Sequence, residues 1–235
     1  MPIQQSSGIV PQMANPADIV FLLDASGSMS DCFEGLKNHV GEFIAGLDAN
    51  PNFRIDFRLG ILSAGCASFQ KKDFNPDPAE FRRAMSRMRC GDQDELTLPA
   101  LDWALDFDWR RGAHKVIVLF TDEPIEGGAE PEFQTSRLDD LVAKAATLRA
   151  KLFVFGPVCP HLERLCREVP GSLFSLVDDH EAFFGAGFGS VLSQIGKNVS
   201  RSCGTGLQAP AGSTVRRDIY GLVSLGTPGI EHVSV

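Results

Sequence analysis

The chain has 235 residues, 43% of them hydrophobic and 22% charged, a balance that supplies a substantial core and suits one α/β domain with appendages or two small domains. Its 30 acidic against 22 basic side chains leave a formal charge of -8, which argues against nucleic-acid and anionic-membrane binding, since both need a basic face, and suits cation binding. No basic and then apolar leader opens the sequence and no apolar run nears the ~20 residues that span a bilayer, so a cytoplasmic protein without membrane insertion is expected, with Cys32, Cys66, Cys90, Cys159, Cys166 and Cys203 as reduced thiols.

Residues 1–17 are rich in Gln, Ser, Pro and Asn and read as an N-terminal arm. Residues 18–24 (DIVFLLD) form an unbroken apolar run between two aspartates, the pattern of a parallel strand covered on both faces. A polar loop follows, and then Phe33, Leu36, Val40, Phe43, Ile44 and Leu47 recur at helical spacing until Asn50-Pro51-Asn52 breaks the pattern. Residues 53–62 begin by alternating, as a half-exposed strand does, and a short strand near 67–70 is expected to pair with them through Ala64-Gly65-Cys66. Pro76 and Pro78 open a helix over 79–88, and a second helix is expected over 96–107. Residues 115–121 (KVIVLFT) read as another central strand ending at Asp122. Beyond it the pattern gives a helix at 138–150, a strand at 152–155, a short helix at 161–169, an edge strand at 172–176 and a last helix at 181–199. Residues 200–235 change to Gly, Ser, Thr and Pro with short apolar patches, a C-terminal tail that is extended or docked on the domain.

Strands alternating with helices over 18–199 predict an α/β fold: a doubly wound, mostly parallel central sheet with one short antiparallel edge strand and helices on both faces. Ligands of such sheets bind beyond the carboxyl ends of the strands, where strand order reverses. The loop at that place reads Asp24-Ala25-Ser26-Gly27-Ser28. A carboxylate and two hydroxyls at alternate positions can turn towards one point and offer the oxygen ligands that Mg²⁺ requires, with Gly27 giving backbone freedom between the serines. Asp122 ends the neighbouring strand, and Thr97 offers a further hydroxyl at a helix start. Against this stands a plainer reading in which Asp24 or Ser26 only caps the next helix.

A DxSxS loop after an apolar strand, a threonine at a helix start and a strand ending in Thr121-Asp122 together resemble the von Willebrand A family over about 18–199, that family having a Rossmann-like fold. The resemblance implies a metal ion-dependent adhesion site. Ser26 and Ser28 match direct ligands, Thr97 the hydroxyl that ligates in the ligand-bound form, and Asp24 and Asp122 carboxylates that often act through water. It also implies a metal position left for a glutamate or aspartate of a partner protein. The family often has Gly-Thr before this helix, whereas here Asp92, Asp94 and Glu95 precede Thr97, so Asp94 or Glu95 is an alternative ligand. Mg²⁺ is the expected cation, with Mn²⁺ or Ca²⁺ as alternatives.

Small domains of this kind also resemble stand-alone bacterial von Willebrand A proteins that work beside AAA+ ATPases, kinases or proteases, which implies an adaptor and not an enzyme. Two alternatives remain open: a Mg²⁺-dependent phosphoryl hydrolase with Asp24 as nucleophile, and a scaffold whose own tail, through Glu231 or the terminal carboxylate, fills the metal site. Other motifs are weaker. Cys159-Pro160-His161 with Cys166 and His180 has zinc-ligand types but not the paired spacing, and buried structural thiols account for it. Glu123, Glu126, Glu130 and Glu132 are expected to rim the metal mouth from a solvated loop. The glycines of 185–189 fall within the last helix, where close helix packing explains them. Trp103 and Trp109 read as packing residues.

Overall fold

A computed structural model describes residues 14–50, 54–65, 69–91, 96–177 and 187–204. Six strands form one sheet in the order β3-β2-β1-β4-β5-β6. They are β1 (Ala14–Asp24), β2 (Arg54–Ala64), β3 (Phe69–Asn75), β4 (His114–Phe120), β5 (Ala150–Gly156) and β6 (Leu173–Leu176). All neighbours pair in parallel except β2 with β3, which is antiparallel with an irregularity between Leu59 and Ile61. The α/β sheet with one antiparallel edge is the architecture that the alternating pattern predicts.

The central strand shows why its sequence is apolar at every position. Ile19, Phe21 and Leu23 enter the core beneath α1 (Ser30–Leu47), α2 (Pro78–Met85) and α7 (Phe188–Gly204). Val20 and Leu22 enter a second core beneath α3 (Thr97–Leu105), α5 (Leu138–Leu148) and α6 (Pro160–Glu168). A strand covered on both faces has no solvent side to mark with polar residues. β2 is intermediate: Arg54 and Asp56 are exposed beside buried Ile55, while Leu59 to Ser63 are buried throughout.

Several boundaries differ from the sequence reading. β1 starts at Ala14, inside the expected arm, and residues 14–16 pair with β2 alone because β4 joins only at Ala17. Pro16 sits in this one-sided stretch, where a strand tolerates a residue without an N–H. β3 extends to Asn75, well beyond the short strand expected. A short helix, α4 (Pro131–Ser136), stands where a longer acidic loop is expected. α7 begins at Phe188 and runs to Gly204, into the expected tail; the rest of that tail and residues 178–186 lie outside the described residues.

α1 and α7 cross with their backbones in contact. A Cβ on Gly46 would lie 2.2 Å from the Ser193 carbonyl oxygen, and one on Gly196 would lie 2.1 Å from that of Phe43. Only glycine fits at either place. Gly189, within the glycine run noted in the sequence, likewise leaves room for the His39 ring, 3.0 Å from where its Cβ would stand.

The candidate metal mouth at the sheet's switch point

β1 has β2 on one side and β4 on the other, so the chain's crossovers diverge between β1 and β4. The carboxyl ends of these two strands carry Asp24 and Thr121-Asp122. A crevice is expected here in a doubly wound sheet, and here the polar groups of the sequence motif meet.

Asp24 is 1% exposed. Its Oδ1 accepts the backbone N–H of Ser26 at 2.7 Å, and its Oδ2 accepts the hydroxyl of Thr121 at 3.0 Å. Burial pushes its carboxyl up to about 6; the Ser26 N–H opposes that rise, and the nearby Asp122 charge adds to it. A cation beside the group would favour the carboxylate and offset the cost of keeping it charged in a dry place.

The hydroxyls of Ser26 and Ser28 lie 2.8 Å apart, and Ser26 also donates to Asp122 Oδ1 at 3.5 Å. Neither serine caps a helix. Ser26 precedes a 3-10 turn (Gly27–Met29) and makes no side-chain cap bond there, and α1 starts from Met29 without a side-chain cap. This counts against the capping reading. Gly27 does not use left-handed backbone, unlike Gly91, Gly112 and Gly171; the turn itself brings the serines together. Gly91, at φ 142°, donates its N–H to the Ala25 carbonyl at 2.9 Å and braces the motif loop from the far side.

Ser26, Ser28 and Asp122 thus gather three oxygen-bearing side chains, with Asp24 directly behind them. This donor set fits a hard divalent cation. Thr97 is buried as the first residue of α3, a helix that packs against β1 and β2. Among the described residues it shares no hydrogen bond with the other four. Asp94 and Glu95, the alternative ligands, lie outside the described residues, as does Glu231.

Two supporting side chains are not assigned from the sequence. Thr121 orients Asp24 and also bonds the Glu123 backbone. Gln134 on α4 is fully buried, and its Oε1 accepts the Leu98 N–H at 3.1 Å, satisfying the exposed amide end of the helix that carries Thr97. The Thr121-Asp122 pair was visible, but nothing in the local pattern marks Gln134. It acts across 36 residues.

The other candidates fall into place differently. Cys159 and Cys166 are buried as expected, but Cys166 contacts the Leu173 carbonyl while Cys159 approaches Glu126. Glu126 pairs with His161 of α6. Trp109 packs against Phe74 and Phe107, and Trp103 is half exposed over Phe69. His180 and Cys66 lie outside the described residues. Among the described residues, no helix is long and apolar enough to cross a membrane.

The family model and the solved structures agree on the architecture. The chain matches the model of the von Willebrand factor type A domain over residues 18–178. It is 25% identical over 163 residues to "Alpha-protein kinase vwkA" of Dictyostelium discoideum, a match covering 60% of this chain and 25% of that protein. The chain thus spans about a quarter of this curated relative. Among solved structures it resembles a von Willebrand factor type A protein from Catenulispora acidiphila, with TM-score 0.59 and 13% identity over 79% of this chain and 43% of that one. It also resembles the SpRpn10 VWA domain, with TM-score 0.54 and 16% identity over 77% and 97%. With the sheet order, the switch-point mouth and a family match covering most of the chain, this protein belongs to the von Willebrand factor type A domain family.

Proposed function

We propose that this domain is a non-enzymatic adaptor that holds Mg²⁺, or another hard divalent cation, at Ser26, Ser28 and Asp122 and uses it to grip a carboxylate of a partner protein. Von Willebrand A domains are protein-interaction modules, and they commonly bind a divalent metal. The observation that carries the reading is the 2.8 Å approach of the two serine hydroxyls beside Asp122, with neither spent on a helix end. Neutral hydroxyls leave a cation electron-poor, so an incoming carboxylate is attracted strongly. Both oxygens of Asp24 already accept protein hydrogen bonds, which suits a carboxylate that works from behind through water. Thr97, first in α3, is the group that would join when the mouth closes on a ligand.

The same facts weigh against Asp24 as a phosphoryl nucleophile. It is buried and doubly hydrogen-bonded, and Lys71, on β3, is engaged by Asp73 and by the Phe107 ring. A role within a bacterial multi-protein system rests on the family resemblance alone.

The test is capture of native partners by the tagged protein in Mg²⁺ and in EDTA. Capture should require the metal and should be lost in Asp24→Ala, Ser26→Ala and the surface change Ser28→Ala. Partners retained equally in EDTA and by all three variants would rule the reading out.

A further inference from the structure

Two loops at the carboxyl end of the sheet meet beside the mouth. The loop after β4 begins with Thr121-Asp122 and carries Glu126, and the loop after β5 ends at Cys159, which is followed by Pro160 and His161 in the first turn of α6. The ligand atoms of Glu126, Cys159 and His161 all lie within 4.8 Å of one another. His161 Nδ1 is 2.7 Å from Glu126 Oε1, and Cys159 Sγ is 3.9 Å from Glu126 Oε2. Thiolate sulfur, imidazole nitrogen and carboxylate oxygen are the donors of a borderline-soft ion such as Zn²⁺. A hard ion such as Mg²⁺ takes oxygens instead.

The group is not satisfied internally. His161 Nδ1 is shut off from solvent and makes no hydrogen bond, although Glu126 Oε1 stands 2.7 Å away as an ion-pair partner. Native proteins rarely leave a buried nitrogen so placed, and one that does asks for an unseen partner. The frame is fixed: Cys159 is extended at φ -146° and ψ 104°, and Pro160 opens the helix. Burial pushes the Cys159 thiol up, while the backbone N–H groups of Ile125, Leu162 and His161 pull the other way by favouring the thiolate.

We propose that Glu126, Cys159 and His161 form a second metal site, which takes Zn²⁺ or an ion of similar softness and keeps a fourth position for water or a partner's ligand. Binding replaces the Cys159 proton with the metal, so uptake releases that proton and strengthens as pH rises. The bound ion ties the loop after β4 to the start of α6. The inference is independent of the cation at Ser26 and Ser28.

Co²⁺ is the probe, added to the full chain after metal removal. Binding should give a near-ultraviolet sulfur-to-cobalt charge-transfer band and the visible bands of tetrahedral Co²⁺. Zn²⁺ should abolish them, and a large excess of Mg²⁺ should not. Cys159→Ser should lose the charge-transfer band. Glu126→Gln alters a half-exposed side chain and keeps its size. It should keep the circular dichroism of the parent and weaken Zn²⁺ binding at least about tenfold, a loss that even outer partners of a metal ligand typically cause. Asp24→Ala should leave the bands in place while abolishing Mg²⁺-dependent capture, which separates the two sites. No thiolate band in the parent, an unchanged band in Cys159→Ser, or unchanged Zn²⁺ affinity in Glu126→Gln would each overturn the proposal.

Discussion

Asp18 and Asp24 stand at opposite ends of the same apolar run, both buried, and are handled in opposite ways. Asp18 receives four hydrogen bonds, two from the Arg58 guanidinium and two from the backbone N–H and side chain of Arg110, all between 2.7 and 2.9 Å. Burial alone would raise its carboxyl, but the Arg58 and Arg110 bonds and charges outweigh that and hold it below the usual value. Asp24 has no cation of the protein's own among these partners and is raised. The contrast lies in the partners: arginines face Asp18, while Asp24 faces an N–H, a hydroxyl and the Asp122 carboxylate. Asp18→Asn leaves two arginines partly unpaired and should cost about 3–5 kcal/mol at neutral pH. Because folding lowers the Asp18 value, its contribution is present above the unfolded-state value of about 3.9 and is lost as pH falls through the lower folded value. Urea titrations from pH 7 downwards should therefore show the gap between parent and variant closing below about pH 4. A gap independent of pH would mean that ionisation of Asp18 is not what the network rewards.

At the scale of elements, the site depends on how strand ends and helix starts are held. The β1 end is braced by Thr121 from β4 and by Gly91 from the loop after α2. The α3 start is held by Gln134 from α4. On the opposite face, α1 follows the motif loop directly and is fixed by its crossing with α7 at Gly46 and Gly196. Gly46→Ala or Gly196→Ala places a methyl against a carbonyl oxygen at little more than 2 Å, so the helices must separate. Each substitution should lower stability by about 1–3 kcal/mol, the usual cost of overpacking, read as a shift in the urea midpoint. Gly41→Ala on the same α1 meets nothing within 4 Å and serves as the control; it should be neutral or slightly stabilising through helix propensity.

For the molecule as a whole, a cation that binds only the folded mouth adds to the stability of the entire domain. At 100 times its Kd, Mg²⁺ should add about 2.7 kcal/mol, or about 5–10 °C in Tm for a domain of this size. Scanning calorimetry in Mg²⁺ and in EDTA reads this shift, and it should vanish in Ser26→Ala. An equal Tm in both conditions would place the cation elsewhere or nowhere. The order of the strands and of every helix but α4, the buried central strand and the place of the DxSxS loop were legible in the chain, because hydrophobic periodicity and strand-end position are local properties. So was the pairing of that loop with Asp122, since parallel neighbours in a doubly wound sheet must bring their ends together. Folding alone decided that Thr121 holds Asp24, that Gln134 holds the start of α3, that Gly46 and Gly196 let two helices touch, and that Glu126 meets Cys159 and His161. Each of these depends on groups 33 to 153 residues apart. No local pattern records where such groups will stand.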